Sequence, residues 1–335
     1  MLIQLSKGQL EITYLATLET LNNTENQEDQ EVKNGLTKCP KTLPSKYFYD
    51  ARGSELFEQI CELPEYYPTR TEAWILQEYA KEIAQITGAC ELVELGSGSS
   101  TKTRLLLDAY QTQEELCKYV PIDVSESILK DSAIQLQKDY PSLQIQGLVG
   151  TYNQALTQLK ATSLPGRMIF FLGSSIGNFS PSDCNHFLNK ITEVLEIGDY
   201  FLLGIDLQKP QSILEDAYND SQGVTAAFNL NMLSHLNQKY QGDFDLNLFA
   251  HQAIYNTEEN QIEMYLISQQ IQVVNLKNLD LTVKLEKNEM ILTEISRKFN
   301  LNQVKKQLET KGLKTIKIFT DPQNWFGLIL CQVIK

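Results

Sequence analysis

Through the middle of the chain, short apolar runs alternate with stretches whose apolar residues recur at helical spacing. In "TEAWILQEYAKEIAQITG" the repeat falls on Trp74, Ile75, Tyr79, Ile83 and Ile86, and Gly88 supplies the residue favoured just past a helix C-terminus. "CELVELGSGSSTKTRLLLDAY" then reads as a strand, a Gly/Ser turn and a helix start. Further strands are predicted at "YVPIDVS", "LQIQGLVG", "RMIFFLGSSIGN" and "DYFLLGIDL", with helices between them at "SESILKDSAIQLQKDY" and "SDCNHFLNKITEVLEIG". Strands alternating with helices imply right-handed βαβ units around a parallel sheet covered on both faces, a doubly wound α/β domain.

After Leu207 the alternation stops. Helical stretches ("SILEDAYND", "GVTAAFNLNMLSHLNQKY") give way to strand-like runs, "QIEMYLISQQIQVVNL" and "LTVKLEKNEMILTEIS". The tail regains α/β character, with a helix near "LNQVKKQLETKG" and strands at "KTIKIFTD" and "WFGLILCQVI". "NNTENQEDQEVKNG", Asn22 to Gly35, is polar enough to predict a mobile linker or loop. Neither the N-terminal segment nor the insertion has the apolar content to bury a core alone. The expected division is 70–207 plus 298–335 as the doubly wound domain, and 1–69 plus 208–297 as a smaller α+β domain.

Composition narrows the functions. The 335 residues are 42% hydrophobic and 21% charged, as in ordinary globular proteins, and carry a formal charge of −13. That balance, with no Lys/Arg cluster, argues against a nucleic-acid surface. The N-terminus lacks a basic then apolar leader, and no apolar run approaches membrane-spanning length, so a cytoplasmic protein without membrane contact is expected. A monomer is the default expectation, which nothing in the sequence decides. Six cysteines (Cys39, Cys61, Cys90, Cys117, Cys184, Cys331) form no C-x-x-C pair, and His186, His235 and His251 have no metal-ligand spacing. Reduced thiols and no metal site are expected.

Two stretches carry candidate chemistry. "VELGSGSST" places a G-x-G turn between strand and helix, where glycines permit close backbone approach and a helix N-terminus offers free N–H groups. Thr101 stands where the third glycine of a dinucleotide fingerprint would fall, so the spacing alone does not separate a nucleotide site from a tight packing turn. Asp123, ending the next strand in "PIDVS", is placed to take ribose hydroxyls. "ELPEYYPTRTE" holds Tyr66 and Tyr67 between Pro64 and Pro68, a stiff loop bearing polar aromatics and suited to binding or to plain packing. Glu294 and Ser296, at i and i+2 of a predicted strand, share a face, with Ile291, Thr293 and Ile295 opposite; a solvated face reads equally well from that pattern.

The strand, E-x-G-x-G turn and strand-end acid resemble the class I fold of methyltransferases that use S-adenosyl-L-methionine (SAM). More specifically, "KYFYDARGSELFEQICELPEYYPTRTE", "VELGSGSSTKTRLLLDA", "FLGSSIGN", "DAYNDSQGVTAAFN" and "LTEISRKF" make the chain, from about Cys39 to Gln332, similar to the L-histidine Nα-methyltransferases of ergothioneine biosynthesis and their fungal amino-acid methyltransferase relatives. That resemblance implies SAM as cofactor, free L-histidine as substrate, and three methyl transfers to the α-amine giving hercynine. It implies a cofactor role for Gly96, Lys102 (toward the methionine carboxylate) and Asp123 (ribose). Asn178 and Tyr218 would hold the amino-acid carboxylate. Tyr49, with Gly173, would lie near the amine and be the candidate catalytic group. Tyr66, Glu294 and Ser296 would hold the imidazole, bordered by Met264. Where many relatives carry an acid and an aromatic for adenine, this chain has Thr151 and Tyr152 in "GTYN", so Thr151 or backbone is expected to replace that acid. Rival readings are a methyltransferase of tryptophan or another amino acid, an NAD-dependent oxidoreductase on the same sheet, and a cofactor-binding module without catalysis. The broken glycine fingerprint disfavours the second.

Overall fold

The computed structural model describes residues 2–4, 10–15, 18–112 and 117–334, with side chains absent from the description for 2–4, 18–26 and 117. The chain divides into two compact units: Met1–Thr17, Arg70–Leu207 and Phe299–Lys335 in the first; Leu18–Thr69 and Gln208–Lys298 in the second.

The first unit is built on a nine-stranded sheet, in spatial order Leu2–Gln4, Leu10–Tyr14, Gln144–Val149, Cys117–Asp123, Cys90–Leu95, Arg167–Phe171, Tyr200–Asp206, Phe326–Val333 and Leu313–Thr320. The six strands from Leu10–Tyr14 to Tyr200–Asp206 run parallel, and the pairs at the two ends are antiparallel. Central strands such as Cys90–Leu95 and Arg167–Phe171 are buried throughout, as strands covered on both faces must be. One side packs on Ile75, Leu76, Ala80, Ile83 and Ala84 of the helix Tyr67–Thr87, the other on Phe187, Leu188 and Ile191 of Pro181–Val194. The order reverses at Cys90–Leu95, the strand that feeds the glycine turn. Ligands of doubly wound sheets bind outside the C-terminal strand ends at such a reversal.

The second unit holds a four-stranded sheet, Lys41–Thr42, Met290–Arg297, Gln261–Ser268 and Phe249–Asn256, a two-stranded ribbon, Gln272–Leu276 with Leu281–Leu285, and the helices Ala51–Glu62 and Val224–Tyr240. Each predicted long apolar run proves to be two strands separated by a turn.

Three expectations need correction. Residues 1–17 belong to the first unit, not the second, because Leu10–Tyr14 continues the large sheet beside Gln144–Val149 and buries Leu10 and Ile12. The segment Asn22–Gly35 is no linker: it lies in a helix, Leu18–Thr37. That helix is anchored by the buried Val32 and Leu36 and by Glu28, which pairs with Lys46 (3.4 Å) and Lys239. Gly35, within it, lets the helix lie close to the chain at Thr42, whose carbonyl oxygen would be 2.3 Å from any Cβ there. Finally, Tyr67 is not in the loop but opens the helix, with Pro68 in the first turn, where a missing N–H costs nothing.

Candidate active site

In the first unit the chain turns sharply after Leu95. Gly96 adopts φ +72°, and a Cβ there would sit 2.8 Å from the Tyr152 hydroxyl, so both conformation and space demand glycine. The Gly98 N–H donates to Asp123 Oδ2 (2.9 Å) and the Ser125 N–H to Oδ1 (2.9 Å), tying the turn to the end of the neighbouring strand. Burial raises the Asp123 carboxyl above its ordinary range, opposed by these N–H groups. Each carboxylate oxygen keeps a second lone pair for a ribose hydroxyl. Ser97 Oγ, buried in the same turn, has no hydrogen-bond partner. An orphaned hydroxyl, a positive-φ glycine and a half-buried acid together fit the cofactor that the sequence implies.

Tyr152 lies edge-on to Phe171 (5.3 Å between centroids) and leans over Gly96, near Asp123. Thr151 is the N-cap of the helix Tyr152–Gln158: its hydroxyl accepts from the Gln154 N–H (3.3 Å), and Gln154 Oε1 accepts from the Thr151 N–H (2.9 Å). Lys102 forms an ion pair with Glu72, a wholly buried acid whose two oxygens also accept the Gly173 N–H (2.9 Å each). Gly173 and Ser174 both take positive φ, +72° and +55°, and lead into the tight turn Ser175–Asn178, which places Asn178 just past a central strand. Glu72 was not singled out from sequence although it closes "ELPEYYPTRTE". Its value depends on a backbone N–H far along the chain.

The acid of the E-x-G-x-G turn is Glu94, and its burial is what the sequence did not announce. Glu94 is buried beneath the turn, accepting from Thr103 Oγ1 (2.6 Å) and from the Tyr119 hydroxyl. Desolvation pushes its carboxyl up to about 7, against the opposing pull of the two hydroxyls. The folded protein therefore holds this proton where the unfolded chain, near 4.5, has released it. The stability from this group is complete below about pH 4.5 and is lost as pH rises through 7. Glu94→Gln should flatten the fall in unfolding free energy between pH 5 and 8, read by urea titration at both pH values; an unchanged slope would refute the assignment.

In the second unit the strand Met290–Arg297 carries Glu294 and Ser296 on one face. Glu294 stands directly opposite Met264 of Gln261–Ser268, beside a bulge between Met264 and Tyr265. Directly opposed residues of antiparallel strands share a face, so the acid and the buried thioether are neighbours. Burial pushes the Glu294 carboxyl up to about 7, with Lys298 pulling it down. Ser296 Oγ lies 2.9 Å from the Tyr218 hydroxyl, and Tyr66 meets Tyr218 edge to face at 5.9 Å. Burial drives the Tyr66 hydroxyl well above its usual range, so it stays protonated, a donor and acceptor. Tyr49, partly exposed, makes edge contacts with Phe48, Phe57 and Phe228, and Phe57 reaches Tyr66. Thus Tyr49, Tyr66, Tyr218, Met264, Glu294 and Ser296 gather in the second unit, and Gly96, Lys102, Asp123, Thr151, Tyr152, Gly173 and Asn178 in the first. Lys298, 3% exposed and bonded to both Tyr218 and Ser296, was missed, because periodicity gives no hint that a lysine points inward.

Among the described residues no group of three or more His, Cys, Asp or Glu side chains is placed to hold a metal ion, and no helix is long and apolar enough to cross a membrane.

Comparison with known proteins agrees with this chemistry. The chain is 44% identical over 301 residues to histidine N-alpha-methyltransferase of Mycolicibacterium smegmatis, covering 90% of this chain and 93% of that protein. It is 45% identical over 302 residues to histidine N-alpha-methyltransferase of Mycobacterium tuberculosis, with the same coverage. A shorter match, 38% over 202 residues, covers 59% of this chain and 23% of ergothioneine biosynthesis protein 1 of Neurospora crassa. With residues 28–333 matching the family described as "Histidine-specific methyltransferase, SAM-dependent", the chain belongs to that family.

Proposed function

We infer that this protein transfers methyl groups from SAM to the α-amine of L-histidine, three times, to give hercynine. The observation that carries the substrate is the Glu294, Ser296 and Tyr66 group beside Met264: a half-buried acid and two hydroxyls suit a ring with two nitrogens, whereas an indole presents one donor and needs more room. The first unit is read as the methyltransferase domain and the second as the substrate domain. The same reading takes free L-histidine as the partner, in the cytoplasm and with the enzyme a monomer; a net charge of −13 fits it in that it disfavours a nucleic-acid surface.

Bound SAM supplies an electrophilic methyl carbon on a sulfonium. The residues of this chain align, desolvate and deprotonate. Asp123 takes the ribose hydroxyls, Lys102 the methionine carboxylate, and the turn at Gly96 with Tyr152 and Thr151 borders the adenosine. Asn178 and Tyr218 take the amino-acid carboxylate, and Tyr66, Glu294 and Ser296 take the imidazole. Tyr49, with Gly173, orients the α-amine and eases loss of its proton, directly or through water, so that the nitrogen lone pair points at the methyl carbon. Aromatic faces stabilise the increasingly methylated cation by about 0.5–2 kcal/mol per contact. After the third transfer nitrogen has no lone pair, and the sequence of transfers ends.

Incubation with SAM and a mixture of the twenty amino acids, read by mass spectrometry, should give a mass gain of three methyl groups on histidine and little on the rest. Methylation spread evenly over several amino acids would reject the reading. Separately, Asp123→Ala should weaken SAM binding by about 1–3 kcal/mol, the scale of lost hydrogen bonds to a charged acceptor. Calorimetry showing unchanged affinity would remove Asp123 from the ribose.

A further inference from the structure

Tyr218 lies between the helices Gln211–Asp216 and Val224–Tyr240, and the edge strand Phe249–Asn256 grips this connection at alternate residues. The Tyr255 N–H donates to Glu215 Oε1 (2.9 Å), and Ala253 exchanges two bonds with the Asn219 side chain, its N–H donating to Oδ1 and its carbonyl accepting from Nδ2 (2.9 Å each). His251 completes the row: its Nε2 lies 2.8 Å from the Tyr218 carbonyl oxygen and its Nδ1 2.9 Å from Asn229 Nδ2. Alternate residues of a strand share a face, and Ala253 stands opposite Met264, which stands opposite Glu294. His251 therefore occupies the face of the sheet that carries the proposed imidazole-binding residues. We propose that His251, locked as a neutral ring with its hydrogen on Nε2, is a positioning residue that fixes Tyr218 for the substrate by holding its main-chain carbonyl.

The neighbours of the ring fix which nitrogen carries the hydrogen. A main-chain carbonyl only accepts, so the Nε2 that faces Tyr218 holds a hydrogen. Asn229, wholly buried, spans Nδ1 and the Tyr265 carbonyl (3.0 Å), and that carbonyl requires the amide nitrogen, not the amide oxygen, to face it. The second hydrogen of the amide nitrogen then points at Nδ1, which must be a bare acceptor. The ring is thus neutral, with its one hydrogen aimed at Tyr218. Burial lowers its tendency to take a second proton, opposed by the Tyr218 carbonyl and the Asp220 carboxylate. The inference rests on the histidine reading in one respect: the Tyr218 hydroxyl, 2.9 Å from Ser296 Oγ, takes the amino-acid carboxylate. A turn left to shift carries that hydroxyl off the carboxylate in the ground state and the transition state alike, which raises KM and spares kcat.

Two variants separate the ring nitrogens. The amide of His251→Gln reaches the place of Nε2 and can donate to Tyr218, whereas that of His251→Asn stops at the place of Nδ1. His251→Asn should raise KM for histidine about tenfold or more with kcat changed less than about threefold, and His251→Gln should keep KM within about threefold of the wild type, on the scale of one buried hydrogen bond. SAM affinity by calorimetry should be unchanged in both. Equal increases in KM for the two variants, or none in His251→Asn, would overturn the proposal. The wild type supplies a second measurement that needs no variant to fold. Of its three histidines, His186 is exposed and His235 faces the Tyr47 carbonyl through Nδ1. In nitrogen NMR of the labelled protein near neutral pH, His251 should give a slowly exchanging hydrogen on Nε2 beside a bare Nδ1. A hydrogen on Nδ1 of that ring, alone or together with one on Nε2, equally overturns the proposal. Failure of the histidine reading would look different: the wild type would not methylate histidine in preference to other natural amino acids, and the ring would still carry its hydrogen on Nε2.

Discussion

Glu294→Ala should lower kcat/KM for histidine by ~10³- to 10⁴-fold while leaving SAM affinity nearly intact. A site that pairs polar groups with a ring penalises their loss on that scale, because the surviving partners are buried and unsatisfied. The register sharpens the expectation: Met264 lies opposite Glu294 on the same face, so shortening both chains opens one continuous space. Glu294→Ala combined with Met264→Val should therefore raise the acceptance of tryptophan. The measurement is kcat/KM for both amino acids in the wild type, the single and the double variant. Equal losses for histidine and tryptophan would mean that Glu294 does not read the ring.

Glu72→Ala should cost about 3–5 kcal/mol of stability, the scale for breaking a buried charge pair from one side. The carboxylate is fully buried, pairs with Lys102 and accepts the Gly173 N–H through both oxygens, so its removal leaves two donors behind. Adding Lys102→Met should recover part of the loss, since the second substitution removes the charge that lost the Glu72 carboxylate, and urea unfolding of the four members of the cycle gives the coupling. A loss under about 1 kcal/mol for Glu72→Ala would show that water or another group takes over its role.

How far the fold could be read follows from what periodicity encodes. The apolar strands Cys90–Leu95, Arg167–Phe171 and Tyr200–Asp206 announce burial on both faces, and the alternating helices fix the parallel order. The helix Leu18–Thr37 could not be read because local composition is polar and two buried residues with the ion pairs of Glu28 hold it in place. The strand Leu10–Tyr14 is too short to reveal which sheet it joins. For the proposed site, motifs pointed to Glu294, Ser296, Asp123 and the glycine turn. Glu72 and Lys298 stayed hidden for one physical reason: a buried charge is defined by partners distant in sequence, such as Gly173 and Tyr218, and a single residue carries no sign of them.

The antiparallel seam between Tyr200–Asp206 and Phe326–Val333 has a consequence for how the protein is made. Phe326, Leu328, Ile329, Leu330 and Cys331 are wholly buried, and they leave the ribosome after the whole of the second unit. The first unit therefore cannot complete its sheet while the second is being synthesised, and Tyr200–Asp206 waits as an unpaired apolar edge. Pairing across so long a chain separation is slow. The interval between translation of Asp206 and of Phe326 is thus the period in which the nascent protein has the greatest need of chaperone cover.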